Sequence, residues 1–175
     1  LMKPYTNILF FLFLFLNVLY PSIKKTVVEQ SSNKLVIDIY IEAFSETDLY
    51  PNNILVGLPN VELPVTNIQY YEKTKIPFKS NRKLQDKFNW TNIQRLKNLN
   101  TGVLTISCLS ADNYYYKKTR ITLEFKAYSD IHRRPRKSEI TFLRSRIINW
   151  ETAKNWFIKP NRKSKKIMNY PLGTW

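Results

Sequence analysis

The chain is poor in the residues from which many active sites are built. Its 175 residues contain one cysteine, one histidine and three glycines. A single thiol, Cys108, excludes an intramolecular disulfide and any cluster held by several thiolates. With only Gly57, Gly102 and Gly173 available, the dinucleotide fingerprint, the phosphate-binding loop and the G-x-S-x-G nucleophile elbow are all missing. Acid is also in the minority, with 13 Asp and Glu against 28 Lys and Arg. The excess is concentrated late in the chain. Residues 117–175 hold 16 Lys and Arg against 4 Asp and Glu, whereas residues 23–116 hold 11 against 9. A basic third suits a polyanion, and it equally suits a solvated face.

Tyrosine and phenylalanine are abundant, at 11 and 10, and lean the chain toward strands. Thr119–Tyr128 gives the clearest signal. Ile121, Leu123, Phe125 and Ala127 alternate with Arg120, Thr122, Glu124 and Lys126, the period of a strand with one buried and one wet face. Lys34–Phe44 repeats the pattern, with Leu35, Ile37, Ile39 and Ile41 inward and Asp38, Tyr40 and Glu42 outward. Ile54–Leu58 and Val65–Tyr71 read as further strands on either side of Pro59-Asn60 and Pro64.

Residues 72–100 look like a polar insertion or hairpin onto which Phe88 and Trp90 dock. Val103–Ser110 turns Leu104, Ile106 and Cys108 inward, and the turn at Ala111-Asp112-Asn113 predicts a hairpin or neighbouring strand pair with residues 115–128. A basic turn at 132–137 precedes a last strand expected at Glu139–Leu143. Asn149–Phe157 is the one helix expected, N-capped by Asn149 and stopped by Pro160. The fold expected is all-β, an antiparallel sandwich or half-open barrel with one short C-terminal helix.

Residues 2–22 read as a secretory leader, with Lys3 ahead of an apolar run from Ile8 to Leu16, or as an uncleaved anchor, since the site lacks small residues. The expected organisation is 1–22 leader or anchor, 23–148 β-domain, and 149–175 a short helix and linker leading into a downstream domain. The apolar, aromatic finish at Pro171-Leu172-Gly173-Thr174-Trp175 looks like the start of another element.

Chemistry is sparse. Cys108 and His132 are the only thiol and imidazole; the first falls on an apolar strand face and the second in an Arg/Lys cluster, which argues against a nucleophile–base pair. Asp38, Glu42, Glu46 and Asp48 read as surface acids. No cofactor or metal is expected. Lys117, Lys118, Arg120, Arg133, Arg134, Arg136 and Lys137, with Tyr114–Tyr116, are candidates for a polyanion or glycan surface. Export argues against nucleic acid as the natural ligand.

The order of Ile54–Asn60, Leu63-Pro64-Val65, the late strand YYYKKTRITLEF, FLRSRIINWETAKNW and YPLGTW resembles the N-terminal region of gingipain-type cysteine peptidases. The resemblance is closest to the PorU-type sortases of the type IX secretion system. Asn149-Trp150, Asn155-Trp156 and Gly173-Thr174-Trp175 carry the match. The resemblance implies a parent exported by a Bacteroidetes-like, Gram-negative bacterium to its periplasm, outer membrane or surface. It also implies that the catalytic His and Cys lie in a downstream caspase-like domain, so that neither Cys108 nor His132 inherits those roles. This chain is then expected to be a non-catalytic accessory or pro-domain, partnered by the downstream domain or by envelope components. Trp150, Trp156 and Trp175 are candidate interdomain anchors, or alternatively caps on this domain's own core. The alternative expectation is an exported module that binds anionic envelope polysaccharide.

Overall fold

The structure is a computed structural model that describes residues 23–78, 87–110, 113–126 and 132–159. The leader, Trp175 and the final aromatic stretch lie outside the described residues.

The architecture is an all-β sandwich of two antiparallel sheets. One sheet runs in the order β1 (Ile23–Gln30), β2 (Lys34–Ile41), β8 (Tyr114–Glu124), β4 (Val65–Lys75), with the two-residue β7 (Leu109–Ser110) pairing with the start of β8. The second orders β3 (Asn52–Leu58), β6 (Leu99–Ile106) and β5 (Phe88–Leu96). A small ladder joins β9 (His132–Arg133) to β10 (Phe157–Ile158).

The alternation in the sequence becomes the core directly. Leu35, Ile37 and Ile39 of β2 and Ile121 and Leu123 of β8 are fully buried, and they meet Val56, Leu58, Leu104 and Ile106 of the other sheet. Each such side chain contributes roughly 1.5–3 kcal/mol by leaving water.

Several expectations are corrected. Val103–Ile106 does not pair with β8; it belongs to β6, between β3 and β5. The chain then crosses to the other sheet through Ser107 and Cys108, and only Leu109–Ser110 reaches Tyr114–Tyr115. Of residues 72–100, those described are mostly strand: β4 runs on to Lys75, and β5 and β6 meet in a hairpin, one of the two forms expected. The two-residue turn Lys97-Asn98 has positive φ at both positions (48° and 69°), the geometry that suits a tight hairpin.

Residues 139–143 are helical, inside α1 (Lys137–Leu143), not a strand. The expected helix at 149–157 shortens to a single turn, α2 (Trp150–Ala153). Residues 149–158 pack onto the sandwich. Trp150, Ala153, Trp156 and Phe157 join the same core cluster, with the Trp156 ring edge-on to Phe125 at 5.3 Å.

This segment also closes a sheet edge. β3 is the outer strand of its sheet, so half of its peptide groups lack a strand partner among the described residues. The Asn149 side chain acts as a substitute peptide. Its Oδ1 accepts from the Gly57 N–H at 2.8 Å and its Nδ2 donates to the Gly57 carbonyl at 3.0 Å, while the Ile148 N–H donates to the Leu55 carbonyl at 3.0 Å. Asn149 is therefore an edge cap; its side chain makes no N-cap bond to α2.

Candidate functional site

The possible nucleophile is a core residue. Cys108 is 4% exposed, its Sγ lies 3.5 Å from Thr119 Oγ1, and burial pushes its thiol above the ordinary value. A thiolate is disfavoured there. His132 enters the separate β9/β10 ladder opposite Ile158. Among the described residues, no group of three or more His, Cys, Asp or Glu stands together to hold a metal ion. Also among them, no helix is long and apolar enough to cross a membrane.

The expected surface acids divide. Glu42 is exposed, and Asp48 accepts from the Phe44 and Ser45 N–H groups at 3.0 and 2.8 Å, bracing the one-turn 3-10 helix Glu46–Leu49. Asp38 lies on the outward face of β2, as its alternation requires, yet it is not wet. It is 3% exposed. Arg120, directly opposite in register, donates Nε and an Nη to its two oxygens at 2.7 and 2.8 Å. Lys118 Nζ lies 3.4 Å away and the Tyr40 hydroxyl donates at 3.4 Å. The Arg120 hydrogen bonds hold the Asp38 carboxyl below its ordinary value despite burial.

The seven basic candidates fall into two groups. Lys117, Lys118 and Arg120 lie on β8, in the middle of the larger sheet. Arg133, Arg134, Arg136 and Lys137 run from the end of β9 to the first residue of α1. Three of the seven are committed internally: Arg120 and Lys118 to Asp38, and Arg133 to Glu139, which accepts from both Arg133 Nη atoms at 2.8 and 2.5 Å. Glu139 is 4% exposed and also accepts from the Arg136 N–H at 2.7 Å and Asn98 Nδ2 at 3.3 Å. These donors, Arg133 first, draw its carboxyl down to about 2. Arg134 and Lys137 each border an open hollow. One, of about 490 Å³, is lined by Arg133, Arg134, Pro135, Ile140, Lys154 and Asn155. The other, of about 710 Å³, lies along α1 from Lys137 to Arg146, where the Arg146 guanidinium sits 4.1 Å above the Phe142 ring.

Of the candidate anchors, Trp150 and Trp156 are 6% and 1% exposed. They cap this domain's own core and present no ring to a neighbour. Trp175 lies outside the described residues.

The sequence reading passed over the exposed surfaces that the fold does create. Val61, Leu63 and Val65 are 67%, 41% and 61% exposed, in a run leading into β4. β4 ends the strand order of its sheet, so its outer edge has no strand partner among the described residues. On the outward face of the same sheet, Tyr40 and Tyr71 flank Lys118. Alternation within each strand signalled these faces; only the strand order revealed which residues became neighbours.

No protein family, curated protein or solved structure matches the chain.

Proposed function

We propose that this chain is a non-catalytic N-terminal accessory or pro-domain of an exported gingipain-like peptidase, and that it packs against or masks the catalytic domain that follows. The observation that carries this reading is the exposed apolar run Val61, Leu63 and Val65 leading into β4, whose outer edge has no strand partner among the described residues. Open strand edges and contiguous exposed apolar side chains are the surfaces on which another polypeptide settles. The sequence resemblance supplies the identity of that polypeptide. Cys108, buried and held as a thiol, fits a chain whose parent keeps its nucleophile elsewhere.

Two measurements test the reading. The coding sequence is expected to continue past Trp175 into a caspase-like domain; a stop codon there overturns it. With the parent produced as two pieces, Val61→Asp/Leu63→Asp/Val65→Asp is expected to weaken their association while leaving this chain's melting transition in place. Unchanged association removes the apolar run from the interface.

A further inference from the structure

The outward face of the larger sheet, which Val65 shares with Tyr71 on β4, carries a second surface farther along the strands. Strand register aligns four side chains in one row across it. Lys24 of β1 stands opposite Tyr40 of β2, Tyr40 opposite Lys118 of β8, and Lys118 opposite Tyr71 of β4. The order is cation, ring, cation, ring. The Lys118 ammonium lies 5.2 Å from the Tyr40 ring centre and 5.7 Å from that of Tyr71, within cation–π reach of both. The tyrosines are two strands apart, about 9.6 Å at the backbone. Each keeps 40% of its surface open.

The next row holds Thr26, Asp38, Arg120 and Gln69, and the Tyr71 hydroxyl donates to Gln69 Oε1 at 2.6 Å, which steadies the ring. The row's one acid, Asp38, is buried and shared between Arg120 and Lys118, whose Nζ lies 3.4 Å from its Oδ2. With Lys24 added, three cations stand against that one carboxylate, which leaves positive charge in surplus beside the rings. Beyond Tyr71, Lys73 Nζ lies 4.9 Å from the Tyr114 ring and extends the same alternation along β4 and β8.

We propose that this row binds an extended acidic polysaccharide across the strands. Sugar rings lie against Tyr40 and Tyr71, and the carboxylates of the polymer are met by Lys118 and Lys24. Flat aromatic surface receives the apolar face of a sugar ring, and its two-strand spacing offers a repeated foothold to a repeating polymer. The surplus positive charge selects for acid-bearing units by charge complementarity.

The test uses the full chain and polygalacturonate as probe, with neutral dextran and an oligothymidylate for comparison, in affinity electrophoresis at several salt concentrations. Polygalacturonate is expected to bind, more weakly as salt rises, and dextran is expected not to bind. Tyr40→Ala/Tyr71→Ala is expected to lower affinity about tenfold or more. Lys24→Gln/Lys118→Gln is expected to do the same. Arg134→Gln/Arg136→Gln/Lys137→Gln is expected to bind like the parent. If the alanine pair fails to fold, Tyr40→Phe/Tyr71→Phe, which keeps both rings, must still bind normally while the lysine pair does not. Absent binding, equal retention of dextran, tighter binding of the oligothymidylate, or loss of binding only in the Arg134/Arg136/Lys137 variant each overturns the proposal.

Discussion

Asp38 and Arg120 face each other across β2 and β8 and form a two-pronged ion pair on the outward side of the sheet. The carboxylate is nearly sealed, whereas the arginine side chain keeps 35% of its surface. The asymmetry decides what each substitution does. Asp38→Asn removes the buried charge and leaves a guanidinium that water still reaches, with an expected cost of about 1–2 kcal/mol in urea unfolding. Arg120→Leu strands the buried carboxylate and is expected to cost more than Asp38→Asn. The reverse order would show that Lys118 and Tyr40 suffice to hold Asp38.

Glu139 makes the fold acid-sensitive. Its carboxyl is drawn from 4.5 to about 2 by Arg133, the Arg136 N–H and Asn98. A lowered folded-state value means that the stabilisation is complete above about 4.5 and is lost as pH falls toward 2. The amount at stake is on the order of 3 kcal/mol. Thermal melts from pH 6 to pH 2.5 are expected to show a falling transition that is flatter in Glu139→Gln. Glu139→Gln itself is expected to lose about 2–4 kcal/mol at neutral pH, because Arg133 is left buried without its acid.

Gly57 is required by contact, not by backbone conformation. A Cβ built there would collide with the Ala153 side chain, which packs α2 onto β3. Gly57→Ala is expected to destabilise by about 1–3 kcal/mol. Adding Ala153→Gly is expected to recover part of that loss, and an additive double variant would disprove the contact. Asn149→Leu, which removes both hydrogen bonds to the Gly57 backbone, is expected to cost about 1–3 kcal/mol and to lower amide protection at Gly57.

Cys108 is expected to resist a thiol reagent in the native state and to react at the rate of global unfolding, because the side chain is 4% exposed and burial favours the neutral thiol. Rapid native labelling at pH 7 would refute the core assignment and reopen the question of a reactive thiol.

Trp156→Ala is expected to cost about 3–5 kcal/mol, as for removal of a buried indole. The ring is fully enclosed against Phe125, and its neighbour Phe157 packs edge-on to Trp150. A near-neutral effect would mean that the C-terminal segment detaches easily from the sandwich.

The strands with one dry face were legible in the sequence. β2, β3 and β8 announce themselves because one side of each must leave water, and period 2 records that demand residue by residue. Strands at sheet edges carry less of this imprint. β1 and β5 are mostly exposed, so polar side chains appear on both faces and no alternation stands out. Lys137–Leu143 was too short, and too rich in residues favouring strands, to show a helical period. What holds its first turn is Glu139, reaching back to the Arg136 N–H and across to Arg133 and Asn98.

By itself, the sequence determined that this is an all-β chain with a dry core, a lone thiol within it and a late excess of positive charge, since composition and alternation act locally. Tertiary structure alone decided that Val103–Ile106 pairs away from β8, that Asp38 is buried on an outward face, that Trp150 and Trp156 are spent inside, and that Tyr40, Lys118 and Tyr71 share a row. Those outcomes depend on which strands become neighbours, and pairing across the sandwich is set by the shared core, not by any one segment.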